Sequence, residues 1–155
     1  VERYDCTLVE ITGGEPLLQD DVYPLMERLL EGGRTVLLET GGHRSIARVP
    51  AGVVKIVDVK CPGSGEGGTF DMSNLAALGG RDEVKFVIGD REDYKWTRDV
   101  IIRHALSERC TVLLSVVSGK LEPSMLAAWI LEDRLKVRFQ LQMHKVIWHP
   151  ETRGV

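Results

Sequence analysis

Short runs of β-branched and apolar residues alternate with helical stripes along the whole of this chain, and that alternation constrains the fold more than any other feature. The candidate strands are Thr7–Thr12, Thr35–Glu39, Val53–Val59, Val84–Ile88, Thr111–Val117 and Val137–Leu141. Several are apolar at nearly consecutive positions, as in Val36-Leu37-Leu38 and Val112-Leu113-Leu114, which suits strands buried on both faces of a parallel sheet. Val22, Leu25, Met26, Leu29 and Leu30 recur at helical spacing, between an N-cap signal at Asp20-Asp21 and a C-cap signal at Gly32-Gly33. Ile101, Ile102, Ala105 and Leu106 form a second stripe, in a helix opening near Glu92. A third helix starts at Pro123, with Met125, Leu126, Trp129 and Ile130 inward, and a short one covers Met72–Leu78. Strand–helix–strand alternation builds βαβ units, hence an α/β fold with a mainly parallel sheet. Residues 1–155 read as one domain, and the glycine-rich stretch Cys61–Thr69 as a mobile loop.

Composition narrows the function classes. A chain of 155 residues can bury about two-thirds of its unfolded surface. Twenty Lys and Arg against 23 Asp and Glu give a net charge of -3, without the basic surplus of a protein that holds duplex nucleic acid by counterion release. No apolar run approaches the ~20 residues that span a bilayer. These features predict a soluble, cytoplasmic protein that touches neither membrane nor nucleic acid directly. Cys6, Cys61 and Cys110 are odd in number and far apart, which argues against a disulfide scaffold and against a local metal motif.

In parallel α/β folds, ligands bind beyond the carboxyl ends of the strands. Gly13-Gly14-Glu15-Pro16 follows the first candidate strand, and Glu39-Thr40-Gly41-Gly42-His43 closes the second. Asp58-Val59-Lys60-Cys61-Pro62 ends the third; Ser115 and Ser118-Gly119-Lys120 belong to the fifth, and Gln140, Gln142 and His144 to the sixth. So many ionisable groups at one edge predict a composite polar site. The paired glycines let a ligand reach the backbone, and Glu15 either accepts from an ammonium or is a solvated turn residue. Asp58 and Lys60 flank Val59 and project to one side, either as a ligand-binding pair or as a surface ion pair. Gln140, Gln142 and His144 alternate with Phe139, Leu141 and Met143, so the polar set faces one way. His144 alone reads more readily as a structural histidine than as a functional one. Asp90–Asp93 reads as a solvated helix start, and Trp96, Trp129 and Trp148 as packing or a terminal anchor.

Beginning at Gly13-Gly14-Glu15-Pro16, the sequence resembles radical S-adenosylmethionine enzymes. Leu38–His43, Val57–Gly65, Glu83–Ile88, Gln140–Lys145 and the tail from Trp148 to Val155 extend the likeness over essentially the whole chain, toward the 7-carboxy-7-deazaguanine synthase family. The resemblance implies a partial, open parallel β/α barrel. It implies a carbon–nitrogen lyase that converts 6-carboxy-5,6,7,8-tetrahydropterin to 7-carboxy-7-deazaguanine with loss of ammonia, in queuosine biosynthesis. In that family a reduced 4Fe–4S cluster cleaves S-adenosylmethionine to a 5′-deoxyadenosyl radical, and Mg²⁺ assists the rearrangement.

Carried over by motif, the cofactor residues are Gly13, Gly14, Glu15, Asp58, Lys60, Ser115 and Gly119. Thr40, Gly42, Gln142, His144 and the terminal Val155 match the substrate side. Val116, Ser118 and Val146 depart from the family's Pro, His and Tyr. The resemblance places the cluster and Mg²⁺ ligands in a segment before Val1, so these residues alone are expected to be inactive. It also implies a homodimer and a reductant such as flavodoxin. Another radical enzyme, such as a glycyl-radical activase, and a binding module without a cluster are the alternatives.

Overall fold

The computed structural model describes residues 2–148 and Thr152. Six strands, β1 (Leu8–Ile11), β2 (Thr35–Thr40), β3 (Val54–Val59), β4 (Glu83–Ile88), β5 (Thr111–Val116) and β6 (Arg138–Phe139), lie side by side in chain order. Every neighbouring pair is parallel, and the sheet is open. The architecture is the α/β parallel sheet expected, and all six strands fall within two residues of their predicted starts.

One-way winding leaves two unlike faces. Val36 and Leu38, Val57 and Val59, and Val84, Phe86 and Ile88 are buried on one face and belong to the core. Their alternates, among them Glu39, Asp58 and Lys85, are only partly buried and form the inner face. Only β5 is buried on both faces, through Leu113 and Ser115 as well as Val112, Leu114 and Val116. The consecutive apolar residues of β2 therefore did not signal two-sided burial, since Leu37 stays partly exposed on the inner face.

Helices α1 (Val22–Glu31), α2 (Asn74–Ala77), α3 (Arg91–Arg103), α4 (Pro123–Glu132) and α5 (Met143–Ile147) complete the described elements. Helix α1 buries Val22 and Met26 but exposes Leu25 at the edge of its stripe. Asp21 occupies the N-cap position without a side-chain cap bond, and Asp20 instead lies 3.5 Å from Arg48. Asp90 caps α3, its Oδ1 accepting from the amides of Glu92 and Asp93, both at 2.9 Å. That helix stops short of Ala105, which adopts a φ of 48°. The predicted stripe is thus broken: Ile101 and Leu106 are buried, while Ile102 is 65% exposed. In α4, Leu126 and Ile130 point inward and Met125 does not. Trp96 meets Phe86 edge-on at 6.3 Å and Trp129 lies 5.4 Å from Tyr94, so both serve packing. Trp148 is exposed.

The largest difference is at the carboxyl end. The last ladder bond runs from the Gln140 amide to the Leu114 carbonyl at 2.8 Å, and the chain then turns into α5. The alternation of Gln140, Gln142 and His144 is therefore not that of a continuous strand. At the amino ends of the strands, Asp82 is 4% exposed and accepts from the amides of Lys55 at 2.9 Å and Gly79 at 2.8 Å. Lys55 Nζ balances its charge at 3.0 Å.

Cys61 and Cys110 are buried, whereas Cys6 is exposed. Burial pushes the Cys61 thiol from 9.0 up to about 12 and the Cys110 thiol from 9.0 up to about 11. Of these three thiols, iodoacetamide should label only Cys6 in the native protein at pH 8, and Cys61 and Cys110 only after denaturation, as mass spectrometry can read. Because folding holds both thiols protonated, their stabilisation is complete below pH 9.0 and is lost as pH rises toward about 12. The urea midpoint should accordingly fall across that window.

Candidate functional site at the carboxyl ends of the strands

The loop after β1 is shaped by two left-handed residues, Gly13 with φ 93° and Gly14 with φ 54°. An L side chain is disfavoured there, and their backbone lines a cavity of about 400 Å³. Glu15 lines the same cavity and is not a solvated turn residue. Its side chain is 5% exposed and ties two loops together. The carboxylate accepts from the Leu17 amide at 3.1 Å, the Thr40 hydroxyl at 2.8 Å and the Gly41 amide at 3.0 Å. His43 Nδ1 lies 3.6 Å from it and faces the same cavity.

Thr40 and Gly42 are buried beneath the loop they belong to. The Thr40 hydroxyl, besides donating to Glu15, accepts from the Gly42 amide at 3.1 Å. The Gly42 carbonyl accepts from the Asp71 amide and from Asn74 Nδ2, each at 2.9 Å. A Cβ on Gly42 would stand 2.3 Å from Phe70, and its φ is 68°. The backbone of Gly42 is thus engaged internally, while Thr40, Gly41 and His43 line the cavity.

Asp58 and Lys60 form an ion pair with Nζ 2.6 Å from Oδ2, while Asp58 Oδ1 is buried without a partner. The pair borders both the first cavity and a second of about 380 Å³, which also reaches Lys85, Asp93, Lys120 and Gln142. Ser115 is 1% exposed, and its unpartnered Oγ belongs to a recess of about 200 Å³ shared with Lys85, Gln140 and Gln142. Gly119 lines a further recess of about 260 Å³, again with Gln142. Gln142 is therefore common to three hollows. His144 lies on α5 with its side chain outside the described residues, and Val155 lies outside them altogether.

Several site residues escaped the sequence reading. Lys85 pairs with Glu39 at 3.2 Å across the intervening strand, and Glu39 also accepts from Thr12 Oγ1 at 3.2 Å. The available signal was a charge at an inner-facing position within an apolar strand, as in Leu37–Glu39 and Val84-Lys85-Phe86. Asp93, read as part of a solvated helix start, is buried at the cavity rim. The stretch after Cys61 is tied down rather than loose: Ser64 Oγ donates to the Cys61 carbonyl at 2.6 Å, and the Gly63 amide to Asp93 at 2.8 Å. Among the described residues, no three His, Cys, Asp or Glu side chains converge as metal ligands.

An open parallel sheet, with one face packed in the core and a composite polar site at its carboxyl edge, defines a partial-barrel α/β ligand-binding fold. QueE from Escherichia coli shares it, with a TM-score of 0.71 at 22% identity over 91% of this chain and 58% of that one. The chain is 52% identical to 7-carboxy-7-deazaguanine synthase of Koribacter versatilis, covering 96% of this chain and 72% of the relative. It is 43% identical to that of Chlorobaculum tepidum, covering 100% of this chain and again 72% of the relative. The chain belongs to the 7-carboxy-7-deazaguanine synthase family. No family model matches it.

Replacing Glu15 should expose how much of the site hangs on it. Glu15→Ala strands two amides and a hydroxyl in a part-buried setting and should lower unfolding free energy by ~3 kcal/mol, whereas Glu15→Gln, which keeps one acceptor, should cost ~1–2 kcal/mol. Urea unfolding monitored by tryptophan fluorescence measures both.

Proposed function

We propose that this chain carries the cofactor and substrate pockets of a 7-carboxy-7-deazaguanine synthase, a radical S-adenosylmethionine lyase acting on 6-carboxy-5,6,7,8-tetrahydropterin. One observation carries the reading. Asp58, its ion-pair partner Lys60 and Gly13-Gly14 line one hollow, with acceptors and a donor side by side. A zwitterionic amino-acid group requires that combination. Asp58 and the Gly13-Gly14 backbone would meet the methionyl ammonium, and Lys60 its carboxylate. Glu15, which lines the same hollow, would join them at the ammonium and also fixes the loop that presents those glycines. Ser115 and Gly119 would border the remainder of the cofactor.

When bound, S-adenosylmethionine supplies hydrogen-atom abstraction from the substrate carbon that bears the carboxylate. The residues of this chain bind, orient and shield. Gln142, at the junction of three hollows, would meet the pterin from one side, and the Thr40–His43 loop from the other. His144 and Val155 join the substrate side by the family likeness. The three cysteines do not fit a 4Fe–4S cluster, since Cys61 and Cys110 are buried in the core and Cys6 is exposed. Nor do the described residues offer a Mg²⁺ ligand set. A flavodoxin-type reductant, a homodimer and a cytoplasmic setting complete the proposal; no described helix is long and apolar enough to cross a membrane.

Anaerobic reconstitution of the full-length protein tests the reading. Carboxytetrahydropterin, S-adenosylmethionine, reductant and Mg²⁺ should yield 7-carboxy-7-deazaguanine, detected by mass spectrometry, and no product would overturn the substrate assignment. Asp58→Asn should raise KM for S-adenosylmethionine by about 10–100-fold, the loss expected for a hydrogen bond to a charged group. His144→Ala should lower turnover.

A further inference from the structure

Helix α3 sends one buried carboxylate to the rim of the site. Asp93 is 4% exposed; its Oδ1 accepts from the Gly63 amide at 2.8 Å and its Oδ2 from the Gly89 amide at 3.0 Å. Gly63 lies in the turn after β3, three residues beyond Lys60, and Gly89 directly follows β4. One helical turn further on, the Thr97 hydroxyl stands 3.5 Å from Cys61 Sγ, a second tie between the same turn and the same helix. The fit leaves no slack. A Cβ on Gly63 would lie 2.9 Å from both Asp93 oxygens, and one on Gly89 3.1 Å from Oδ2.

A carboxylate in the first turn of a helix ordinarily serves as its cap, yet Asp90 already caps α3. Asp93 is spent instead on two loops from neighbouring strands, both of which border the cavity of about 380 Å³. Charge-assisted bonds in a buried setting are the stronger and more directional kind. They hold the chain that leads out of Lys60 against the end of β4.

We propose that Asp93 is a positioning residue: it clamps the turn after Lys60 to the end of β4, and so sets where the Asp58–Lys60 pair stands at the cavity rim. The identity of the ligand held there rests on the function proposed above; the clamp itself does not.

The test compares Asp93→Ala and Asp93→Asn with Asp82→Ala in the full-length protein. Asp82 is equally buried and also holds two amides, but at the amino ends of the strands. Two quantities are read at a temperature where every variant is folded: amide exchange at Gly63 and Gly89, and calorimetric affinity for S-adenosylhomocysteine as probe. Asp93→Ala should speed exchange at both amides and weaken the probe by about tenfold or more, as a displaced binding group does. Asp93→Asn should do so less, because one oxygen remains. Asp82→Ala should lower Tm and leave both readouts at the wild-type value.

Gly63→Ala adds a check that does not touch Asp93. It should weaken the probe in the wild-type background and add little to Asp93→Ala, where the obstructing oxygens are gone. If Asp93→Ala does not fold, Asp93→Asn and Gly63→Ala decide. Wild-type exchange and affinity in those variants, or effects no different from Asp82→Ala, would overturn the clamp. Wild-type protein that fails to bind the probe would instead overturn the cofactor reading, and the exchange data would still decide the clamp.

Discussion

Loops that leave the carboxyl edge of a buried parallel sheet must find partners for backbone groups that water cannot reach, and in this chain buried polar side chains provide them. Glu15 serves the Leu17 and Gly41 amides. Asn74 accepts from the Ile46 amide at 3.0 Å and donates to the carbonyls of Gly42 and Arg44, each at 2.9 Å. Asp93 does the same for the turns after β3 and β4. An ionised carboxylate is acceptor-only, with about four lone-pair positions, so it suits loops whose surplus groups are amides. The amide of Asn74 suits a loop with both a free N–H and free carbonyls.

Because the backbone is satisfied from beneath, the charges on the inner face are free for other work. Asp58–Lys60 and Glu39–Lys85 are partly exposed pairs. Because both pairs border the cavities, a ligand group of the same sign can replace one partner without leaving the other uncompensated. A core pair would behave differently, since stripping one member leaves a buried charge uncompensated. Lys55–Asp82, deeper and at the amino ends of the strands, is of that kind. The fold thus keeps its firm ion pair at the amino end and its exchangeable ones beside the cavities.

The strands and their parallel order were legible, because β-branched runs and glycine stops are local signals. Leu25, Ile102 and Met125 were not: an apolar residue at the edge of a stripe can face solvent, and only the neighbouring elements decide. The tail from Gln140 to His144 misled for a related reason. Two-residue alternation is compatible with a strand, but β6 runs out of partner after Gln140 and the chain coils into α5. At the site, the edge holding Gly13, Asp58, Ser115 and Gln142 could be read from position. The roles of Glu15 and Asp93 could not. Each joins a local amide to one 26 or 30 residues away, and nothing in a one-dimensional pattern marks that distant partner.

The split between the two faces explains why the fold persists where sequence does not. What the packed face demands is apolar bulk at alternate positions, met here by Val36 and Leu38, Val57 and Val59, and Val84, Phe86 and Ile88. Many residues satisfy that demand equally. The inner face and the loop staples are held to stricter terms, because a buried carboxylate must meet particular amides and Gly42 has no room for a Cβ beside Phe70. Variation is therefore cheapest in the core-facing strands and dearest in the few residues that shape the cavity rim, which are also the ones that set what the cavity can hold.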